Sequence, residues 1–281
     1  MTEDDFAYLR RFLRKRSGLA LGADKRYLAE SRLQPVWRGV GLESLAGLLR
    51  ELRLRETGPL GRAVVDAMTT NETTFFRDAA MFDGLRRTVL PRLVEARAGM
   101  RRLRIWSAAA STGQEAYSVA MLLGEMSPRL VGWQVTILGT DVSAGAVERA
   151  KAGLYSQFEV QRGLPILSLL RHFTQGPAGW TISGEMRRAV EFRVFNLLDD
   201  FTPLGGFDLI LCRNLLIYFD VPAKSALLDR LAAALAPDGA LCLGASESIV
   251  GLSRSVTPDP NARSFAIRGS AEAPMRVRVT G

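Results

Sequence analysis

From residue 102 onward, short apolar runs alternate with stretches of helical period, and no other feature of this chain restricts its possible folds as strongly. Residues 103–108, 134–139, 190–195, 207–212 and 239–244 are apolar runs of strand length, and helical spacing fills 115–126, 144–152 and 222–235 between them. Such alternation predicts βαβ units with right-handed crossovers, and hence an α/β fold on a doubly wound, mostly parallel sheet. In that architecture a ligand lies outside the carboxyl ends of the strands. Residues 153–189 break the alternation. They are expected to form an insertion between helix and strand, with short β segments around 180–182 and 188–190.

The first 68 residues have a different texture. Phe6, Leu9, Phe12 and Leu13 form an apolar helical stripe that stops near Ser17-Gly18. Tyr27, Leu28, Leu33, Val36 and Trp37 make a second, stopped by Gly39 and Gly41, and Leu42, Leu45, Leu48, Leu49 and Leu52 a third. Glu56-Thr57-Gly58-Pro59 is a turn near the edge of this unit. A small all-helical domain over 1–68 is therefore expected, then a helix over 79–97 leading into an α/β domain that occupies 69–269. A flexible tail over 270–281 is expected to follow. Hydrophobic residues make up 47% of the 281, enough for a sizeable core, and no apolar run is long enough to span a membrane. The acidic start, Met1-Thr2-Glu3-Asp4-Asp5, lacks the pattern of a signal peptide, so a cytoplasmic protein is expected. Cys212 and Cys242 lie in strand-like runs and read as small core residues, and with the single His172 they make no metal site.

Charge is distributed unevenly. Of a net +8, residues 10–38 alone contribute +7: Arg10, Arg11, Arg14, Lys15, Arg16, Lys25, Arg26, Arg32 and Arg38 against Asp24 and Glu30. Such a patch attracts an acidic partner, whether phosphate backbone, anionic lipid or a carboxylate-rich protein surface. The plain alternative is a solvated helix face.

The chemistry concentrates elsewhere. In residues 69–78, Asn71, Thr73 and Arg77 surround the adjacent aromatics Phe75 and Phe76 in an order that no helix or strand period accommodates. A loop holding side chains toward a ligand is expected there, with a capped helix start at Thr70 or Asn71 as the alternative. After the first strand, Ala108-Ala109-Ala110-Ser111-Thr112-Gly113-Gln114-Glu115 is a turn of small residues that permits close backbone approach. It carries neither a P-loop nor a G-x-G-x-x-G pattern, and Glu115 would repel a pyrophosphate. Asp141, just past the second strand, suits ribose hydroxyls or else an N-cap. Asn196 at the third strand end suits an adenine edge, while Arg213 and Asn214, with Tyr218 four residues on, end the fourth. Four polar strand ends in register point to a nucleoside site.

Taken together, these residues resemble the chemotaxis receptor glutamate methyltransferases, from the helical start to about residue 268. The resemblance rests on Thr69-Thr70-Asn71-x-Thr73-x-Phe75-Phe76-Arg77, Trp106-Ser107-Ala108-Ala109-Ala110-Ser111-Thr112-Gly113, Cys212-Arg213-Asn214-x-x-Ile217-Tyr218-Phe219 and Gly244-x-Ser246-Glu247. It implies a seven-stranded S-adenosylmethionine (SAM) dependent methyltransferase sheet with a short β insertion. It implies SAM binding by Asn71, Thr73, Arg77, Glu115, Asp141, Asn196, Leu197, Arg213 and Asn214, with Arg77 and Tyr218 flanking the reacting methyl group. The implied reaction is in-line attack of a receptor glutamate carboxylate on that methyl carbon, with no general base and no metal. Glu115 would suit the cationic side of SAM and Asp141 its ribose. The basic helical domain would dock on the glutamate-rich cytoplasmic bundle of a chemoreceptor.

Two departures qualify the likeness. The family's S-T-G-E-E-P-Y-S run reads Ser111-Thr112-Gly113-Gln114-Glu115-Ala116-Tyr117-Ser118, which keeps the second acid and loses the first acid and the proline. In some members the insertion grips a pentapeptide tether at the receptor C-terminus. Here the gripping loop around Gly176-Pro177-Ala178-Gly179-Trp180 is short, so pentapeptide binding is not expected. The rival readings are a nucleic-acid methyltransferase and a SAM-binding signalling scaffold without turnover. Cys212-Arg213-Asn214-Leu215 differs from the [DNS]-P-P-[YFW] tip of amino-methylating enzymes, and Arg77 and Tyr218 argue against lost activity.

Overall fold

The computed structural model describes residues 1–262 and 264–269, and the tail expected over 270–281 lies outside the described residues. The chain opens with helices α1 (Glu3–Ser17), α2 (Arg26–Gly39), α3 (Leu45–Leu54) and α4 (Pro59–Met68). The three predicted stripes meet in one core, where Phe6, Leu9, Phe12 and Leu13 pack with Leu33, Leu48, Leu49 and Leu52. Helix α4 was not read from the sequence, although Val64, Val65 and Met68 supply the fourth face of that core. Its ten residues carry too short an apolar repeat to stand out beside the Gly58-Pro59 breaker, which here is the cap and first turn of the helix.

Helix α1 ends on Gly18, in the left-handed conformation at φ 77°. A Cβ at Gly18 would lie 2.0 Å from the Phe219 ring, so the end of α1 is wedged against the α/β part of the chain. Gly18→Ala is expected to cost about 2–4 kcal/mol, the left-handed backbone penalty plus overpacking. Gly39→Ala, where a Cβ meets nothing within 4 Å, is the neutral control. Urea unfolding of the pair checks this, and equal midpoints would dismiss the wedge.

Beyond the polar loop the predicted helix over 79–97 forms as α5 (Ala79–Gly84) and α6 (Leu90–Ala96), joined by a π-helical stretch at Leu85–Val89. Pro91 has no N–H for the turn before it, and the widened turn accommodates that loss. Then follow β1 (Arg102–Ala108), α7 (Gln114–Glu125), β2 (Gln134–Asp141), α8 (Ala144–Ala152), β3 (Leu154–Tyr155), α9 (Gln157–Gln161), α10 (Ile166–His172), β4 (Phe173–Gly176), β5 (Gly179–Ile182), α11 (Gly184–Ala189), β6 (Val190–Val194), β7 (Phe207–Cys212), α12 (Val221–Ala234), β8 (Leu235–Leu243), β9 (Val256–Pro258) and β10 (Phe265–Arg268).

The main sheet has seven strands in the order β6-β2-β1-β7-β8-β10-β9. The first five are mutually parallel, and β10 runs antiparallel to both β8 and β9. Each of the five strands expected of the alternating pattern is present, and the order reverses between β1 and β7, which opens a crevice at their carboxyl ends. Two cores cover the faces. One gathers Leu103, Ile105, Tyr117 and Phe192, and the other Trp106, Phe207, Leu228 and Leu231. Cys212 and Cys242 are buried and free on neighbouring strands, and burial raises both thiol pKa values, so they stay protonated core residues.

The insertion holds a separate three-stranded sheet, β3-β5-β4. The segment expected around 180–182 is β5, but residues 188–189 close helix α11 and only Val190 is strand, so the β expectation at 188–190 is corrected. The Ser183 hydroxyl accepts the Met186 N–H as an N-cap, and that cap starts a helix that runs into the segment where a strand had been expected. Between β4 and β5 the pairing of Gly176 with Gly179 leaves only Pro177-Ala178 as the loop.

Candidate functional site

The carboxyl ends of β1, β2, β6 and β7, the loop 69–78 and the end of α1 converge on one cavity of about 940 Å³, counted to its open mouth. Asn71, Thr73, Arg77, Glu115, Asp141, Asn196, Leu197, Arg213, Asn214 and Tyr218 all line it. Residues far apart in sequence thus meet where the strand order reverses. Ser17 and Leu19, from the helical part, complete the wall.

The backbone around the cavity is held in sparsely populated conformations. Phe76, Asp78, Ala109, Ser111 and Asn214 have φ of 47°, 70°, 64°, 52° and 57°, a concentration of strain typical of functional sites. Each is tied down. The Ser118 hydroxyl accepts the Phe76 N–H at 2.9 Å, and Asp78 is the N-cap of α5, so the cap foreseen at Thr70 or Asn71 lies at Asp78. Ser111 donates its hydroxyl to the Asn71 carbonyl at 2.8 Å, which fastens the polar loop to the β1 turn. Ala109 and Ser111 line the cavity, but Gly113 turns away from it. A Cβ there would lie 2.9 Å from that of Ala150.

Two carboxylates organise the charge. Glu115 accepts from the Ser107 hydroxyl at 2.7 Å and from the Arg213 guanidinium at 3.0 Å, with both partners buried. Its negative charge is thus shared with Arg213 at the wall of the cavity that it lines. Burial works to lower the Arg213 pKa, but Glu115 and Asp78 outweigh it and the net shift is upward. Arg213 also donates to the Arg77 carbonyl at 2.7 Å. Arg77 itself donates to the Glu72 carbonyl at 3.1 Å and makes no ion pair among the described residues.

Asp141 is the second. Its Oδ2 accepts the Ser111 N–H at 2.8 Å and its Oδ1 the Ser143 N–H at 2.9 Å. A carboxylate offers about four acceptor positions, so each oxygen keeps a place for a ribose hydroxyl. Burial raises its pKa and the neighbouring Asp66 charge adds to the rise, while the backbone N–H bonds oppose it. The Asn196 side chain, expected at an adenine edge, donates to the Arg16 carbonyl at 2.6 Å and accepts the Leu198 N–H at 3.0 Å. One N–H and one lone pair remain for a ligand.

The supporting residues Ser107, Ser118 and Glu247 received no role from the sequence, although all three lie within the quoted motifs. Among the described residues no three His, Cys, Asp or Glu side chains group as metal ligands, and no helix is long and apolar enough to cross a membrane.

Comparison with known proteins bears on the same residues. A family model described as "CheR methyltransferase, SAM binding domain" matches residues 71–261, and another, "CheR methyltransferase, all-alpha domain", matches residues 4–69. The chain is 44% identical over 249 residues to chemotaxis protein methyltransferase 1 of Pseudomonas aeruginosa, which covers 87% of this chain and 90% of that protein. It is 42% identical over 252 residues to chemotaxis protein methyltransferase Cher2 of Pseudomonas putida, with coverages of 88% and 91%. A Vibrio anguillarum chemotaxis protein methyltransferase is likewise 42% identical over 255 residues, with coverages of 90% and 92%.

Proposed function

Because the chain belongs to the CheR methyltransferase family, in both its all-alpha and its SAM-binding parts, we propose that it methyl-esterifies glutamate side chains of a chemoreceptor's cytoplasmic domain. It is a SAM-dependent methyltransferase of chemotactic adaptation; the glutamate acceptor, the residue roles and the cytoplasmic location are the inferred part. One observation carries the reading above the others. The polar strand ends and an arginine that makes no ion pair among the described residues share a single cavity.

Bound SAM supplies a methyl carbon made electrophilic by its sulfonium. Asp141 holds the ribose through the lone pairs that Ser111 and Ser143 leave open, and Asn71, Thr73, Asn196, Leu197 and Asn214 complete the cofactor wall. Arg213 neutralises Glu115 and supports the Arg77 backbone. The Arg77 guanidinium orients the incoming carboxylate by charge-assisted hydrogen bonds. Tyr218, beyond the carboxyl end of β7, lines the same cavity and fixes the sulfonium side with its ring or hydroxyl. A glutamate carboxylate is ionised at neutral pH, with a reference pKa of about 4.3, so the residues need move no proton and work by alignment and exclusion of water.

Arg77→Ala is expected to cost about 1.5–3 kcal/mol of transition-state stabilisation, roughly ten- to hundredfold in kcat/KM. An unchanged rate would remove Arg77 from the mechanism. The reading as a whole is tested by incubation with labelled SAM and purified receptor cytoplasmic fragments, followed by mild base. Label released as methanol supports an ester; base-stable label refutes it.

The basic surface of the helical part is smaller than its sequence suggests. Arg14 pairs with Asp220, Lys15 with Glu56, Lys25 with Asp24 and Arg26 with Glu3, while Arg32 holds the Met68 and Thr69 carbonyls. Arg10 donates to the Leu21 carbonyl. Arg11, Arg16 and Arg38 make no ion pair among the described residues, and these are the cations available to steer an acidic receptor bundle. The two-residue β4–β5 loop leaves little to grip a tethering pentapeptide, and docking on the bundle itself is the route we favour.

A further inference from the structure

The turn that carries Arg213, Asn214 and Tyr218 leaves the sheet at Cys212, where β7 and β8 stop pairing at Cys212 and Leu243. Beyond that point three backbone N–H groups have no strand partner, and one side chain takes all of them. Glu247 Oε2 accepts the Asn214 N–H at 2.8 Å and the Gly244 N–H at 2.7 Å, and Oε1 accepts the Leu216 N–H at 2.7 Å. A carboxylate is suited to this task, since it only accepts and offers about four positions. No cation pairs with Glu247 among the described residues.

The fit is close on every side. Asn214 is in the left-handed region at φ 57°, a conformation that requires an anchor. A Cβ on Gly244 would stand 2.8 Å from Glu247 Oε2 and 2.9 Å from both nitrogens of Asn214, so any larger residue would push the carboxylate off its amides. Downstream, the Tyr218 carbonyl accepts the Ala20 N–H at 2.8 Å, so the turn is held at one end by Glu247 and at the other by the helical part. Glu247 does not itself line the cavity, whereas Arg213, Asn214, Leu215, Tyr218 and Phe219 do.

We propose that Glu247 is a positioning residue for the methyl transfer, acting through the backbone of residues 214–216 to set Tyr218 against the sulfonium side of the cofactor, a charge that S-adenosylhomocysteine lacks. The proposal rests on the function given above. Glu247→Gln preserves size but turns one acceptor into a donor that faces backbone N–H groups, so at least one amide loses its partner and the turn relaxes. Displacement of reacting groups by about 1 Å costs on the order of 100-fold in rate. The expected result is therefore a fall in kcat of roughly 10- to 100-fold per cofactor-binding site, with S-adenosylhomocysteine affinity within about threefold of wild type.

Three measurements are made in parallel on wild type and Glu247→Gln: thermal unfolding, calorimetric titration with S-adenosylhomocysteine to count binding sites, and methyl transfer to a purified receptor cytoplasmic fragment. Gly244→Ala, which keeps the carboxylate and crowds it from the other side, is the second variant and covers the case in which Glu247→Gln does not fold. A lowered kcat per binding site in either variant, at near-normal site count and affinity, supports positioning. A kcat per site within about threefold of wild type, or a loss of binding sites in proportion to activity, overturns it. If wild type itself transfers no methyl group, the functional reading fails and the proposal falls with it, an outcome separate from active wild type with equally active variants.

Discussion

Arg213→Met is expected to lower the unfolding free energy by about 3–5 kcal/mol, because it leaves the Glu115 carboxylate buried without its counter-charge. Both side chains of this pair are nearly inaccessible, at 2% and 11%, so solvent screening does little to soften the loss. The Arg77 carbonyl loses its donor as well, which loosens the loop whose Phe76 and Asp78 already stand at positive φ. Urea denaturation measures the effect. The double variant Arg213→Met/Glu115→Gln is expected to recover most of it, since the destabilising element is the unpaired charge rather than the missing arginine. A single-variant loss under about 1 kcal/mol would mean that Glu115 finds water or another partner, and that the ion pair is not what holds the start of α7 to the end of β7.

Asp141→Asn is expected to weaken SAM binding by about 1.5–3 kcal/mol, some ten- to hundredfold in Kd, because ribose hydroxyls would lose a charged acceptor. The substitution also turns an NH₂ toward the Ser111 or Ser143 N–H. The pH dependence follows from the upward shift of this buried carboxyl. The folded chain protonates Asp141 more readily than the unfolded chain does. The stability this group contributes is thus full below the ordinary value of 3.8 and is lost as pH rises through the folded value. Cofactor binding has the opposite sense. It needs the ionised form, so wild-type affinity is expected to decline on acidification at a pH above that of an ordinary aspartate. Calorimetry across pH on wild type and Asp141→Asn separates the two. A flat wild-type profile down to pH 4 would show that Asp141 does not gate the ribose.

The pocket's composition was legible in the sequence because strand ends are. A polar residue following an apolar run, repeated four times, has few structural explanations, and Asp141, Asn196 and Arg213 with Asn214 all reached the same cavity. What the pattern did not carry was which polar groups face a ligand and which face each other. Glu115 was read as a partner for a cationic cofactor, and nothing in the sequence signalled that it also pairs with Arg213, a residue 98 positions away. The Asn196 amide was read against an adenine, and its bond to Arg16, at the end of the first helix, was not foreseen. Such pairings depend on which elements the fold brings together, and no local spacing encodes them.

The same division runs through the fold. Periodicity alone determined the helical first part, the alternating second part and the parallel sheet, because burial of one face repeats along the chain at the period of each element. It missed α4, whose apolar face is complete only against the other three helices, and it misplaced a strand at 188–190, where the Ser183 cap starts a helix. Only the tertiary structure decided how the strand ends are held. Glu247 closes the gap beyond β7 and β8, and Gly18 lets the first helix press against Phe219. The physical reason is that a backbone amide past the end of a strand has no partner in its own element, and only folding determines which distant carboxylate reaches it.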